Sequence, residues 1–477
     1  MKQQLLQAGL REAASFEESA VAVLNTCTVT ATADAEVRQF VRRIHRRNPH
    51  CRILVTGCYA QRAPEEIAQL EGVAWVVGNS HKHLVSAILA PDDENGRPVD
   101  PVIGRSAELE SNDILSSEVR PLSAAALVHI QNDDGLRTSD IGLRTSDAAQ
   151  IFVGEITDEF HFAPVFAEDR TRPTLKIQDG CDARCSFCVI PSVRGASRSL
   201  PPETALDQVR DLEQAGYHEV VLSGINLGGY GRDLGRRINF LGMVERILRE
   251  TSIARIRISS IEPMDVSPAL IRLVAAEPRM AQHFHVPLQS GCDRILRLMN
   301  RRYWIKQYAE RIESIRAQIP HAAIGADVMV GFPGETDGDH AASLRFIESM
   351  PYTYVHVFPF SARPGTPAAS ASGQVNGRVA RERSQEIRAA IAVKRQEFIA
   401  AQIGRTLPAL TLDEMEEGAR VALTTNYLKV ALPGTGVLAN RLVNVSTGRV
   451  TSGKLFGYLE HSSVEGASEC VGVRAAC

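Results

Sequence analysis

Short apolar blocks, separated by segments of helical period, organise the first hundred residues. Residues 20–25 read Ala-Val-Ala-Val-Leu-Asn, an unbroken apolar run of the length expected for a buried parallel strand. In the segment that follows, Val37, Phe40, Val41 and Ile44 recur at helical spacing, with Arg38, Arg42, Arg43, Arg46 and Arg47 around them and Asn48-Pro49 as a stop. Apolar runs return at 52–56 and 73–77. This alternation predicts a small doubly wound α/β domain over residues 1–105.

The pattern lapses over residues 106–168, which mix acidic, Ser and Ala residues and contain a tandem repeat, Gly-Leu-Arg-Thr-Ser-Asp at 135–140 and, after Ile141, again at 142–147. A linker with a partly disordered insertion is expected there. A solenoid needs longer units and more of them.

Alternation resumes over 169–402. Strands are predicted at 174–177, 219–222, 255–259, 283–286, 324–330 and 354–358, with a long helix over 378–402. Six βα units are too few to close an eight-stranded barrel, so a partial (β/α)6 barrel, open on one side for a large substrate, is expected. Residues 403–461 then switch to short strands at 409–412, 421–424, 428–431, 441–446 and 454–459, the pattern of a small β-barrel. A disordered tail is expected over 462–477.

Composition narrows the class. The chain has 477 residues, too many for one ordinary domain. It is 44% hydrophobic and 23% charged, with a net charge of -3, so any nucleic-acid binding must come from local patches. No segment approaches the roughly 18 apolar residues of a membrane span, and the start has no apolar signal core. A cytoplasmic protein with no membrane partner is expected. Its nine cysteines form no short-range disulfide framework and point to metal binding in a reducing compartment.

The strongest chemical signal is Cys181, Cys185 and Cys188, spaced Cys-x3-Cys-x2-Cys in a loop after the first barrel strand. Three thiolates on one loop can hold three irons of a [4Fe–4S] cluster and leave the fourth open to a ligand. Structural zinc takes four ligands, usually as two separated pairs, and fits this spacing poorly. Further motifs follow the other strands, where parallel barrels carry their active sites. Gly228 and Gly229 lie in 223–231, Ser260 and Glu262 in 259–263, Gln289 in 285–291, and Glu335 in 331–336; the sixth strand leads into 358–367. Each alone is an ordinary turn signal, and Glu335 could simply open a helix. Together and in order they outline one barrel mouth.

The cysteine loop and these motifs resemble the radical S-adenosylmethionine (SAM) methylthiotransferases. The resemblance covers nearly the whole chain and is closest to the subfamily acting on N6-threonylcarbamoyladenosine in tRNA. Asn25-Thr26-Cys27-Thr28 with Leu24 and Val29, Thr56-Gly57-Cys58-Tyr59-Ala60-Gln61, and Ile190-Pro191-Ser192-Val193-Arg194-Gly195 with Ser197-Arg198-Ser199 favour that subfamily. The resemblance implies a radical SAM barrel and a TRAM-like C-terminal domain. It also implies two [4Fe–4S] clusters, the first on Cys181, Cys185 and Cys188, and SAM as both methyl donor and radical source, bound near Gly228, Gly229, Ser260, Glu262, Gln289 and Glu335. By the same resemblance, one SAM would donate a methyl group to sulfur on the second cluster, and another, cleaved to a 5′-deoxyadenosyl radical, would remove hydrogen from C2 of the base at position 37, to which the methylthio group would be transferred.

Cys27 and Cys58 match two of the three cysteines that hold the family's auxiliary cluster. The segment from Met1 to Gly9 resembles the helix after the family's first strand, so that strand and its cysteine are expected to be missing from this chain and the auxiliary site to be incomplete. Cys51 lies at the far end of the strand that leads to Cys58, roughly 23 Å away, and cannot replace it. Cys292 is expected to be a small buried residue, and Cys470 and Cys477 to be idle in the tail. Implied partners are a tRNA anticodon stem-loop, a reductant such as flavodoxin or ferredoxin, and a sulfur source, for a monomeric enzyme. Arg441, Lys429 and Arg449, and the basic helix near 38–47, are candidate phosphate contacts; the helix could equally be a solvated face. Alternatives are methylthiolation of isopentenyladenosine in tRNA or of a ribosomal-protein aspartate, or an inactive RNA-binding relic.

Overall fold

A computed structural model of the chain describes residues 1–89, 106–108, 125–131, 148–156, 171–235, 238–434, 436–451 and 453–460. The N-terminal sheet contains β1 (Arg11–Glu12), β2 (Val21–Thr26), β3 (Arg52–Gly57), β4 (Val73–Gly78), β5 (Ser106–Glu108), β6 (Ala125–Gln131) and β7 (Gln150–Phe152). Its order is β1-β6-β2-β3-β4-β7, with β5 also on β6; β2, β3, β4 and β7 run parallel and β6 antiparallel.

Successive strand residues face opposite sides, and both sides are covered. Ala22, Leu24, Ile53 and Val55 pack under Val37, Phe40, Val41 and Ile44 of the basic helix Ala31–Arg47. Val21, Val23, Leu54, Trp75 and Val77 pack on Leu5, Val85 and Leu89 of two short helices. This is the three-layer arrangement expected. The reading of 106–168 as a linker needs correction, because β5, β6 and β7 lie in it and extend the sheet at both ends. Two of those strands, β5 and β7, have only three residues, and all three are joined by long segments without periodicity, so the pattern did not distinguish them. The tandem repeat at 135–147 lies outside the described residues.

The central strands are β8 (Thr174–Asp179), β9 (Arg198–Ser199), β10 (Glu219–Gly224), β11 (Arg255–Ile258), β12 (His283–His285), β13 (Ala323–Val330) and β14 (Tyr354–Pro359). All six expected barrel strands are present. They form two parallel arcs, β11-β10-β8 with the small β9 at its edge, and β12-β13-β14. Single parallel bridges, Ile256 to Met280 and Ser260 to His285, join the arcs. Leu175, Ile177, Val220, Leu222, Ile256, Ile258, Ile324, Ala326 and Val328 share one core with the surrounding helices, so the alternate residues line the inside. With the N-terminal sheet these strands belong to one unit, Met1–Arg395.

The second unit, Gln396–Cys477, starts within the helix Gly377–Ala400, a few residues before the expected boundary at 403. Its strands β15 (Thr406–Glu416), β16 (Ala419–Thr424), β17 (Lys429–Leu432), β18 (Leu442–Thr451) and β19 (Lys454–Leu459) close into a barrel in the order β15-β16-β17-β19-β18. Ala409, Ala422, Val430, Leu432, Val445 and Leu455 fill it. Among the described residues no helix is long and apolar enough to cross a membrane.

Candidate active site

The loop carrying Cys181, Cys185 and Cys188 is pinned at its root by Gln178, which is fully buried. The Gln178 amide donates to the carbonyls of Asp179 and Gly180 and to Ser197 Oγ, each at 2.9 Å, and its Oε1 accepts from the Asn226 N–H at 2.7 Å. One side chain thus ties the cysteine loop to the glycine-containing loop after β10. Gly180 has φ +71°, and a Cβ there would stand 1.8 Å from the Ala196 carbonyl oxygen, so only glycine fits. Beyond the turn, the Ser186 N–H donates to the Met299 carbonyl at 3.0 Å and Asn300 Nδ2 to the Arg184 carbonyl at 2.6 Å.

The three cysteines are free thiols. Burial raises the Cys181 pKa and pushes Cys188 up to about 11, and each is raised further by its neighbouring loop cysteines. A cation bound by all three would reverse that bias, because coordination favours the thiolate. Arg301, not anticipated from the sequence, reaches into this site: its side chain is 6% exposed, one nitrogen lies 3.2 Å from Cys185 Sγ, and another pairs with Glu262. It sits in the run Asn300-Arg301-Arg302, which reads as a polar turn; only the tertiary fold brings it to Cys185. Burial raises the Glu262 pKa despite this partner.

The other expected contacts divide. Ser260 is exposed and pairs with His285 through the bridge between the arcs. Gln289 has a strained φ of +65°, held by backbone bonds to β13, and its Oε1 is buried without a partner. Asn226 Oδ1 is likewise buried and unpartnered, while its Nδ2 approaches Cys181 Sγ at 3.9 Å. These orphaned atoms are what a polar ligand above the cysteine loop would satisfy. Gly228 has an internal reason to be glycine, since a Cβ would fall 2.0 Å from the Asp265 carboxyl group; at Gly229 the nearest atom would be Ser197 Oγ at 3.1 Å.

Glu335 needs correction. Its buried carboxylate pairs with Arg383 at 2.7 Å and accepts the Gly331 N–H at 2.6 Å, so it braces a turn and the long helix and is committed within the protein. Cys292 is half-buried and donates to Asp339 at 3.2 Å.

The second cysteine pair is assembled by strand register. Thr26 and Gly57 are Cα partners at the ends of β2 and β3, which brings the next residues, Cys27 and Cys58, to the same sheet edge. Gly57 has φ +103° and a Cβ would meet the Thr26 carbonyl oxygen at 2.3 Å, so glycine is required for this turn. Burial raises the Cys27 pKa. Cys51 is buried at the opposite end of β3, 3.3 Å from Ser19 Oγ.

The helix Ile190–Arg194, which begins two residues after Cys188, links the cysteine loop to Cys58 of the second pair. Cys58 packs with Val189, Ile190 and Val193. Asn79 Nδ2 donates both to Cys58 Sγ at 3.4 Å and to the Val193 carbonyl at 2.8 Å. Arg194 interacts with Cys58 and lies 3.2 Å from Asp179. Burial opposes charge on Asp179, but Arg194 and Lys176 outweigh it and hold the carboxyl below its usual range.

The motif after β14 also serves the second pair. Arg363 is 5% exposed at its side chain; it donates to the Thr28 carbonyl at 3.2 Å and pairs with buried Asp34 at 2.9 Å. Asp34 also receives Arg62 at 2.9 Å and Thr28 Oγ1 at 2.7 Å.

On the basic helix, Arg38 is taken by Tyr59 and Glu66 and Arg47 by Glu17, whereas Arg42, Arg43 and Arg46 are exposed. In the C-terminal barrel Lys429 pairs with Glu414 at 2.5 Å, Arg449 lies over Phe456, and Arg441 is exposed at the start of β18. Cys470 and Cys477 lie outside the described residues.

Two family descriptions match the chain: the radical SAM superfamily over residues 175–347, and the uncharacterized protein family UPF0004 over residues 1–78. The chain is 34% identical to the threonylcarbamoyladenosine tRNA methylthiotransferase MtaB of Bacillus subtilis, over 93% of this chain and 88% of that protein. It is 34% identical to the protein of the same name from Aquifex aeolicus, over 91% of this chain and 92% of that one. The tRNA-2-methylthio-N(6)-dimethylallyladenosine synthase of Pelotomaculum thermopropionicum is 30% identical over 95% of this chain and 92% of its own length.

Proposed function

This chain belongs to the radical SAM methylthiotransferase family, and we propose that it adds a methylthio group to C2 of N6-threonylcarbamoyladenosine at position 37 of tRNA. The observation that carries the reading is the packing of Cys58 on the short helix that follows Cys188, with Asn79 hydrogen-bonded to Cys58 on one side and to the Val193 carbonyl on the other. A radical enzyme that only cleaved SAM would need just the barrel loop. An enzyme that transfers sulfur to a radical-activated carbon needs a second thiolate site nearby. The similarity to the two threonylcarbamoyladenosine enzymes supports the substrate.

Cys181, Cys185 and Cys188 would hold the [4Fe–4S] cluster of the radical SAM family, and the free thiols on one pinned loop fit it. When bound, that cluster supplies the electron that cleaves SAM. Gln178 and Gly180 set the pitch of the loop, Arg301 holds positive charge at Cys185, and Asn226 and Gln289 offer unpaired amide oxygens to a ligand. Cys27 and Cys58 would contribute thiolates to an auxiliary cluster, with Asn79 and Arg194 as donors to Cys58. The open side of the barrel suits an unstacked anticodon-loop base. Arg42, Arg43 and Arg46, with Arg441 in the other unit, are the candidate backbone contacts. A flavodoxin- or ferredoxin-like reductant and a sulfur source complete the reaction.

The test is nucleoside mass spectrometry of bulk tRNA from a strain lacking the gene. Loss of 2-methylthio-N6-threonylcarbamoyladenosine, with the unmethylthiolated nucleoside accumulating, is expected. Loss of the isopentenyl counterpart instead would assign the chain to the sister activity. An unchanged tRNA profile would overturn the proposal.

A further inference from the structure

A third group of metal-ligating side chains, which shares no residue with either cysteine set, lies inside the barrel. His285 ends β12, Asp327 lies in β13 and His356 in β14. Asp327 and His356 are Cα partners on neighbouring parallel strands, and His285 pairs with Gly325 on the other side of β13. Ile324, Ala326 and Val328 face the outer core, so the two-residue alternation turns Asp327 inward between the two histidines. His285 Nε2 stands 3.0 Å from Asp327 Oδ2, and the two histidine rings lie 5.6 Å apart at 31°. One ligand atom from each of the three residues lies within 4.8 Å of the other two.

The surroundings orient this group. The other nitrogen of His285, Nδ1, is 3.1 Å from the Tyr354 hydroxyl, which is itself 2.7 Å from His283 Nε2. A partner on the remote nitrogen is what fixes ring orientation and tautomer for a metal-bound histidine, leaving the other nitrogen free to coordinate. The Tyr354 ring is seated over Gly325, where a Cβ would fall 2.0 Å from a ring carbon, so a glycine on β13 makes room for the residue that orients His285.

From this geometry we propose that His285, Asp327 and His356 bind one divalent transition-metal ion of the zinc type. Two imidazoles and one carboxylate suit zinc; calcium and magnesium prefer oxygen ligands throughout. Three protein ligands leave one position of a tetrahedral ion open to water or to an oxygen donor entering the barrel. Asp327 is 26% exposed at its side chain and His356 is exposed, so an ion can reach the site from the lumen. The competing arrangement is a plain hydrogen-bonded Asp327–His285 pair with His356 merely beside it.

The experiment uses the full chain with its clusters reconstituted anaerobically, loaded with zinc chloride and desalted. Iron and zinc are counted by mass spectrometry, and zinc ligation is read by X-ray absorption. About one zinc per chain is expected, with a nitrogen and oxygen shell near about 2.0–2.1 Å and no sulfur. His356→Ala and Asp327→Asn should each weaken zinc at least about tenfold in a chelator competition, with iron content and circular dichroism unchanged. His356 is exposed, so its variant folds even if the Asp327 variant does not. Absence of retained zinc, a sulfur shell near about 2.3 Å, or wild-type zinc affinity in His356→Ala would each overturn the proposal.

Discussion

Gly180→Ala tests whether the pitch of the cysteine loop, and not merely the presence of its cysteines, governs cluster binding. The substitution has two costs. A non-glycine residue at φ +71° loses about 1 kcal/mol against glycine. The added Cβ would also lie 1.8 Å from the Ala196 oxygen and 2.8 Å from that of Gly195. Real contacts of this kind stay above about 3 Å, so the backbone must move by more than about 1 Å, a strain of about 1–3 kcal/mol. The residue that moves precedes Cys181 directly, and the Cys181 N–H bond to the Gly195 carbonyl, at 3.1 Å, lies in the path.

Gly216→Ala is the matched control. Its φ is +84° and a Cβ there meets nothing within 4 Å, so it carries the backbone cost alone. Urea unfolding should place Gly216→Ala about 1 kcal/mol below wild type and Gly180→Ala about 2–4 kcal/mol below. After anaerobic reconstitution, only Gly180→Ala should lose most of the barrel-cluster iron and of the 5′-deoxyadenosine formed from SAM. Full iron in Gly180→Ala, with the same urea midpoint as Gly216→Ala, would refute the reasoning.

Arg363→Ala leaves Asp34 short of one of its two buried guanidinium partners, and a broken buried pair costs about 3–5 kcal/mol; Asp34 keeps Arg62, so the lower half of that range is expected by urea unfolding, and a loss below about 1 kcal/mol would mean the pair is solvated. Arg301→Met removes the charge beside Cys185 and Glu262. The loss of charge-assisted bonds, about 1.5–3 kcal/mol, should slow SAM cleavage at least about tenfold, with partial recovery in Arg301→Lys; unchanged cleavage would make Arg301 a packing residue only. Cys51→Ala should leave iron content as it is, since Cys51 sits at the far end of β3 beside Ser19; loss of iron would make Cys51 a ligand.

Local pattern carried most of the architecture. Apolar runs and helical periods located the six barrel strands and the five strands of the C-terminal barrel, because burial on one or both faces imposes those periods on sequence. The spacing of Cys181, Cys185 and Cys188 was legible because all three act within one loop. The strands β5, β6 and β7 were not, since their pairing is set by neighbours distant in the chain. Tertiary structure alone decided the partners of charged residues. Arg301 at Cys185, Arg363 at Asp34 and Glu335 at Arg383 are contacts between residues 116, 329 and 48 positions apart in the chain. A charged side chain in a turn looks the same in sequence whether it faces water or a buried counter-charge. The choice between them is made by which strand ends the fold brings together, as it is for His285, Asp327 and His356 on three successive strands of one arc.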